Sequence, residues 1–373
     1  MISSAVYLAE WKGNMTDYNK ILEISPFSLE RSHKHELMSK RLVELSKHHY
    51  NNCQEYQRIL DVLGYDLDKI SSYYDLPMIP VKLFKNMELK SISDDAVVKT
   101  MTSSGTTGQS VSKIYLDRNT AAYQQKTLVK IMNQLIGNAR LPMIILDCPS
   151  VVRNRAMFSA RGAGILGFSI FASDTIYALD DNMKLNTEGL LSFIEKHKGK
   201  NIFMFGFTYM IWQHFYKELM AAEVKIDLSE AVLVHGGGWK KLMQEAQSPE
   251  QFKLALQDVC GIRRVHDYYG MVEQTGCIYI ECEYGHLHAS IFSDVITRRT
   301  RDFSPCDFGE RGIIQVVSMI PESYPGHSLL TEDEGYILGE DDCPCGRKGK
   351  YFNVTGRVKK AEVRGCSDTY EQR

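Results

Sequence analysis

No stretch of the chain approaches the roughly eighteen consecutive apolar residues of a membrane span. Nor does either sign of charge dominate: 44 Lys and Arg against 46 Asp and Glu leave a net charge of -2. Nucleic acid and anionic membrane surfaces are therefore not expected partners. A basic start followed by an apolar stretch is missing from Met1 to Asn14, so no export signal is expected. Missing too is an even, clustered set of cysteines. Nine of them, scattered over 373 residues, read as reduced thiols rather than a disulfide framework. These absences point to a cytoplasmic protein. Internal repeats and low-complexity tracts are absent as well. The length allows one large domain or two intimate ones.

What is present begins with helices. Residues 25–64 read as helical, with Ser25-Pro26 as N-cap and first turn, Leu37, Met38, Leu42 and Leu45 at helical spacing, and a stop at Gly64. His48 and His49 read as surface residues favoured by a helix C-terminus. After Leu76-Pro77-Met78-Ile79-Pro80 the texture changes. A short strand is expected over 95–101, a helix over 120–138 and a strand over 143–146. A glycine-rich bend follows at 161–167, a strand at 202–205, a helix at 209–218 and a strand at 231–234. Short apolar runs ending in glycine, with helices between, are the pattern of a largely parallel α/β core with ligands at the carboxyl ends of its strands. Beyond about residue 275, the runs 278–280, 288–295 and 312–318 read as antiparallel strands or a small barrel packed on that core.

Chemistry concentrates in a few segments. Thr102-Ser103-Ser104-Gly105-Thr106-Thr107-Gly108 offers hydroxyls and open backbone N–H groups suited to phosphate oxygens, and Lys113 adds a positive charge. It is not a Walker loop, which needs Lys directly after its second glycine. Taken alone, it is a solvated turn. Strand 232–234 empties into Gly236-Gly237-Gly238, where a flat ring can lie against backbone. Tyr268-Tyr269-Gly270-Met271-Val272-Glu273 puts an aromatic face and an acid on one loop. Asp333, in Leu330-Thr331-Glu332-Asp333, has two acceptor oxygens suited to a vicinal diol.

Cys282-x3-His286-x-His288 and Cys343-Pro344-Cys345-Gly346 form a second constellation. Two sulfurs two apart, with Cys and His from a neighbouring strand, suit a tetrahedral Zn²⁺, and reduced cysteines in a turn are the alternative. Cys53, Cys148, Cys260, Cys277 and Cys306 read as packing residues.

The loop around Gly105 closely resembles the Ser-Gly-Thr-Thr-Gly…Lys phosphate loop of adenylate-forming, or acyl-activating, enzymes. Tyr269-Gly270-x-x-Glu273 resembles their Tyr-Gly-x-Thr-Glu motif, with Val272 where the motif has Thr. Thr331-Glu332-Asp333 resembles their Thr-Gly-Asp. Gly356-Arg357-Val358-Lys359 resembles their Gly-Arg-x-Asp/Lys hinge. Four matches in order span about residues 95–365. The resemblance implies an α/β fold of mostly parallel sheets flanked by helices plus a small β-barrel-like part, with ATP and Mg²⁺ as cofactors. Ser103, Ser104, Gly105, Thr106, Thr107 and Gly108 would hold phosphates and Gly236, Gly237 and Tyr269 adenine. Asp333 and Arg357 would take the ribose, and Glu273 Mg²⁺. Phenylacetate-CoA-ligase-like relatives hold a structural zinc where Cys282, His288, Cys343 and Cys345 fall, with His286 as substitute.

Only 14 residues follow Lys359, far below the roughly 50 of a domain. With Cys366 in Arg364-Gly365-Cys366-Ser367, this is similar to the bacterial luminescence acyl-protein synthetase (LuxE) family. That likeness implies an AMP-binding domain over 1–356 and a short tail over 357–373. A long-chain fatty acid, such as tetradecanoic acid, would be activated as acyl-AMP and passed to Cys366 as a thioester. The reductase and acyl-transferase subunits of a fatty acid reductase complex would be partners. Arg364, Lys359 and Lys360 would favour the thiolate, and Lys113 is a candidate for the part of the superfamily's late lysine. The acyl pocket is expected around Phe203–Met210. A CoA ligase acting on an aryl or fatty acid, and a non-catalytic nucleotide- or acyl-binding scaffold, are the alternatives.

Overall fold

The computed structural model describes residues 16–103, 110–153 and 160–358. The strands are β1 (Ile79–Pro80), β2 (Lys99–Thr102), β3 (Lys113–Leu116), β4 (Leu141–Leu146), β5 (Ala172–Tyr177), β6 (Ile202–Phe207) and β7 (Ala231–Gly236). They continue with β8 (Arg264–Tyr269), β9 (Tyr279–Glu281), β10 (Leu287–His288), β11 (Ser293–Arg298), β12 (Gly312–Ser318), β13 (Ser328–Glu340) and β14 (Lys350–Arg357). Twelve of them form one sheet in the order β11-β12-β13-β14-β10-β9-β8-β7-β6-β4-β5, with β1 paired to β13. From β5 to β8 the neighbours run parallel. The β8–β9 pair is antiparallel, as is each further step to β11. The expected mixed α/β architecture is thus present as one hydrogen-bonded ladder. β2 and β3 form a separate antiparallel hairpin.

Period-two alternation builds a core on each face of the parallel half. Met143, Ile145, Phe203, Phe205, Phe207 and Val234 face the helices Arg31–Asn52, Arg118–Ile136 and Ala160–Phe168. Ile144, Leu146, Ile202, Met204 and Leu233 face Thr187–Lys196, Lys217–Ala222 and Pro249–Cys260. Every residue of β6 is buried, as a central parallel strand requires. A third core, with Tyr279, Ile314, Val316, Leu329 and Phe352, underlies the antiparallel half.

Several local expectations are corrected. The first long helix starts at Arg31, not at Ser25-Pro26, and its N-cap Glu30 makes no side-chain cap bond. His49 is buried, not a surface residue. Its Nδ1 pairs with Ser91 Oγ at 2.8 Å, its Nε2 with Pro321 O at 3.1 Å, and its ring stacks on His327 at 4.9 Å. The region read as a bend is the helix Ala160–Phe168. The strand expected from 95 starts at Lys99, after a 3-10 turn over Asp94–Ala96. The run 288–295 divides into the ends of β10 and β11. Of the eight cysteines among the described residues, all are free and all but Cys306 and Cys345 are buried. Among these residues no helix is long and apolar enough to cross a membrane.

Candidate functional site

The hairpin β2–β3 presents the Ser/Thr/Gly loop. Its last ladder pair joins Thr102 to Lys113, and beyond it Ser103 N donates to Ser112 O at 3.1 Å while Ser112 N donates to Ser103 Oγ at 2.9 Å. Lys113 is exposed at that end. Ser104, Gly105, Thr106, Thr107 and Gly108 lie outside the described residues, as does Cys366.

At the same loop end of the hairpin the buried Ser112 hydroxyl hydrogen-bonds the carboxyl of Glu273. Glu273 follows β8 in a 3-10 turn, Val272–Gln274, whose backbone is pinned by Tyr324 Oη donating to Glu273 O at 2.8 Å. Burial, and then neighbouring Glu332, push this carboxyl up, against the Ser112 bond and the charge of Arg357. Gly276 lets the same loop press on the helix Arg118–Ile136: at φ +93° an added Cβ would lie 2.5 Å from Gln124 O.

Tyr269, at the end of β8, donates its phenolic hydroxyl to Asp333 Oδ2 at 2.7 Å. Burial, and then the Asp333 carboxylate, hold that phenol well above its ordinary pKa, so it keeps its proton and acts as donor. Asp333 stands opposite Arg357 in the β13–β14 ladder, with Arg357 Nε 3.7 Å from Asp333 Oδ1. Burial raises the Asp333 pKa, and Tyr269 and Arg357 oppose that rise. Four residues from three distant segments, Tyr269, Glu273, Asp333 and Arg357, are thus brought together beside the hairpin. Sequence reasoning missed Ser112 and Lys82, whose Nζ lies 2.9 Å from Glu332 Oε1. It also missed Asp147 and Arg161, an ion pair of 3.0 Å with each side chain only 1% exposed. A lone Ser, Lys, Asp or Arg carries no spacing signal.

Gly236 ends β7 and Gly237 follows it. The flat ring lying on Gly236 is the protein's own Tyr268, since a Cβ there would stand 2.5 Å from Tyr268 Cε1. The Thr208 hydroxyl lies 3.0 Å from Gly237 O and 3.3 Å from Gly236 O. Of the expected acyl-pocket residues, Phe203 and Phe205 are core, and Phe168 stacks on Phe205 with centroids 4.2 Å apart. Phe207 lines a cavity of about 140 Å³ together with Tyr268, Met271, Val272 and Ile278.

The second constellation also assembles. One ligand atom from each of Cys282, His288, Cys343 and Cys345 lies within 4.8 Å of the others. Cys282 Sγ and Cys343 Sγ are 4.0 Å apart, and Cys345 Sγ is 3.3 Å from His288 Nε2. Zn–S bonds of about 2.3 Å in a tetrahedron separate sulfurs by about 3.8 Å, so these soft donors fit zinc. The backbone N–H of Tyr284 donates to Cys282 Sγ at 3.4 Å, an outer-shell bond of the kind that steadies a thiolate ligand. His286 stands outside the quartet, its Nδ1 3.4 Å from Cys343 Sγ.

A family model described as acyl-protein synthetase, LuxE, matches residues 10–373. The long-chain-fatty-acid–luciferin-component ligase of Vibrio harveyi is 21% identical over 345 residues, covering 90% of this chain and 88% of that one. Its Aliivibrio fischeri namesake is 22% identical over 351 residues, covering 89% and 87%. Among solved structures, an open conformation of 2-hydroxyisobutyryl-CoA ligase in complex with 2-HIB-AMP and CoA superposes with a TM-score of 0.70. It is 13% identical, covering 89% of this chain and 71% of that one, a likeness of fold.

Proposed function

Because this chain belongs to the acyl-protein synthetase, LuxE, family and is a ligase, we propose that it activates a long-chain fatty acid with ATP and carries the acyl group on Cys366. The observation that carries this reading is the convergence of Tyr269, Glu273, Asp333 and Arg357 beside the loop end of the β2–β3 hairpin. A carboxylate oxygen of the acid attacks the α-phosphorus, an acyl–phosphate bond forms and pyrophosphate leaves. The Cys366 thiolate then attacks the acyl carbon, a thioester forms, and AMP departs with the electron pair of the broken C–O bond.

Ser103, Ser104, Gly105, Thr106, Thr107 and Gly108 cradle the phosphates, with Lys113 supplying charge. Gly237 and Tyr269 border the adenine, with Tyr268 packed on Gly236 as the wall between them, and Asp333 and Arg357 hold the ribose. The carboxyl of Glu273 beside a hydroxyl is a hard-oxygen donor set that fits Mg²⁺, which when bound offsets charge on the departing pyrophosphate. Cys282, His288, Cys343 and Cys345 hold a structural Zn²⁺ that ties β10 to the turn after β13.

The tether has the necessary reach. Val358 is fixed by its N–H donating to Glu332 O at 3.0 Å. Cys366 is eight residues further along, a span of at most about 29 Å. The reading places 357–373 as a carrier tail on an AMP-binding unit over 1–356. Delivery is to the reductase subunit of a fatty acid reductase complex that includes an acyl-transferase subunit, in aldehyde synthesis for luminescence.

Incubation with labelled tetradecanoic acid, ATP and Mg²⁺ tests this. The wild type should catalyse fatty-acid-dependent pyrophosphate exchange and hold label that survives denaturation and is released by hydroxylamine. Cys366→Ser should keep the exchange and hold no label. Label retained by that variant removes Cys366 from the mechanism. Label moved chiefly to free CoA identifies a CoA ligase, and absence of exchange identifies a non-catalytic scaffold.

A further inference from the structure

The cavity beside Tyr268 has a neighbour. A second space, of about 350 Å³, lies under β2 against Leu116, Leu128 and Ile170 and opens beside the exposed Gln125 and Leu166. The two spaces share Met101, Leu128, Ala163, Gly167, Thr275 and Gly276 as walls. We infer that they are two halves of one acyl channel, and that Gly167 on their common wall sets the longest chain it admits.

Two glycines of the helix Ala160–Phe168 make the argument by contrast. A Cβ on Gly164 would lie 3.2 Å from Phe207 Cζ and 3.5 Å from Phe205 Cζ, so a side chain there would press on the Phe207 ring, which would have to give by a few tenths of an ångström. A Cβ on Gly167 would meet nothing within 4 Å, and its φ is not in the left-handed range. Neither packing nor backbone geometry asks for glycine there. A glycine inside a helix weakens it relative to alanine, so this one costs stability at a site where a side chain would fit. What it leaves free is space common to both cavities.

The channel also has a direction. Gln274 is 2% exposed and lines the smaller space. Its Nε2 is committed, donating to Gly326 O at 2.8 Å and Val316 O at 3.2 Å. Its Oε1 has no partner among the described residues. The smaller space ends at Val272 and Gln274, which flank Glu273 in the chain. The carboxyl head group therefore belongs at that end, beside Glu273, and the hydrocarbon tail runs past Met101, Leu128 and Gly167 toward the rim at Leu166. Met101 is on β2, two residues before Ser103, so chain length is read by the strand that also carries the phosphate loop. Each methylene seated in an apolar channel strengthens binding about fourfold. A side chain that displaces several of them therefore acts steeply on long acids and hardly on short ones.

This inference rests on the fatty-acid reading above, and two readouts keep their failures apart. Displacement of a fluorescent polyene fatty acid, cis-parinaric acid, reports binding. Pyrophosphate exchange reports activation. Hexanoic, decanoic, tetradecanoic and hexadecanoic acids are compared on wild type, Gly167→Leu, Gly167→Ala and Met101→Ala. Gly167→Leu should weaken binding of the two longest acids at least about tenfold and leave hexanoic acid unchanged. Gly167→Ala, which strengthens the helix, should show the same trend more weakly, and it keeps the test valid if the leucine variant does not fold. Met101→Ala should move the optimum to longer acids. Unchanged binding profiles in all three variants, or no displacement from the wild type by any acid, overturn the channel. Binding profiles that shift as expected without exchange support the channel and overturn the proposed activity.

Discussion

The Tyr269 hydroxyl and the Asp333 carboxylate, 64 residues apart, meet at 2.7 Å. That bond ties the last parallel strand to the antiparallel half of the sheet, and it engages only one of the two Asp333 oxygens. Oδ1 faces Arg357 Nε at 3.7 Å, a distance that leaves room for a ligand hydroxyl to intervene. Asp333→Ala should raise the KM for ATP in pyrophosphate exchange by about 10- to 100-fold, the worth of hydrogen bonds to a charged acceptor. Tyr269→Phe, which keeps the ring, should cost about tenfold or less. A KM for ATP unchanged in Asp333→Ala rules out a ribose-binding role for this carboxylate.

Glu273 and Ser112 make a second prediction. Glu273→Gln preserves shape and the contact with Ser112 but removes the negative charge. Exchange should fall about a hundredfold or more, the thermal midpoint should hold, and the Mg²⁺ concentration for half-maximal rate should rise. An unaltered Mg²⁺ response would take the metal away from Glu273.

Metal analysis of the purified protein should find one zinc per chain, as four soft ligands imply. Cys343→Ser, or prolonged chelation, should lower the unfolding midpoint by about 5 °C or more, because ligation of a preorganised site contributes to folding. Metal-free protein with the same midpoint as the purified form would mean that these are plain reduced cysteines.

Acid sensitivity follows from the buried histidines. Burial, then the charges of His48 and Arg41, bring His327 down to about 3. Burial, then His327 and His48, hold His49 well below its ordinary value. An unfolded chain protonates both near pH 6.5, whereas the folded protein leaves them neutral. Stability should therefore fall as pH drops below about 6.5, each such histidine adding about 1.4 kcal/mol per pH unit once well below that point. Burial likewise lowers His235 to about 3 and His266 to about 4, which steepens the trend. Urea unfolding at about pH 7.5 and about pH 5 should show a smaller loss for His327→Gln than for wild type. Equal losses would show that His327 does not drive the trend.

The parallel half was legible because β4, β6 and β7 are short apolar runs, two of which, β6 and β7, carry a glycine at or next to their carboxyl ends. Asp333 and Arg357 were placed through motifs whose neighbours in sequence are also neighbours in space. Elsewhere a local signal competed with a distant partner. Ser25-Pro26 has the composition of a helix start, but the helix begins five residues past Pro26, at Arg31. Gly162, Gly164 and Gly167 look like a bend, yet at Gly164 the absent side chain lets the helix settle on Phe205 and Phe207. His49 is buried by Pro321, 272 residues away, and no window of sequence contains both. Ser112 became visible only when the hairpin laid it over Glu273.

β14 follows every other strand of the sheet along the chain, yet it lies inside, between β10 and β13. A nascent polypeptide that has emerged only as far as Glu340 therefore holds a gap, with unpaired N–H and C=O groups on both sides. The antiparallel half cannot close during synthesis until Lys350–Arg357 leaves the ribosome, and until then any extended peptide is a competitor for that slot. Production of this protein should accordingly be limited by how quickly β14 arrives, with chaperone demand concentrated in that interval.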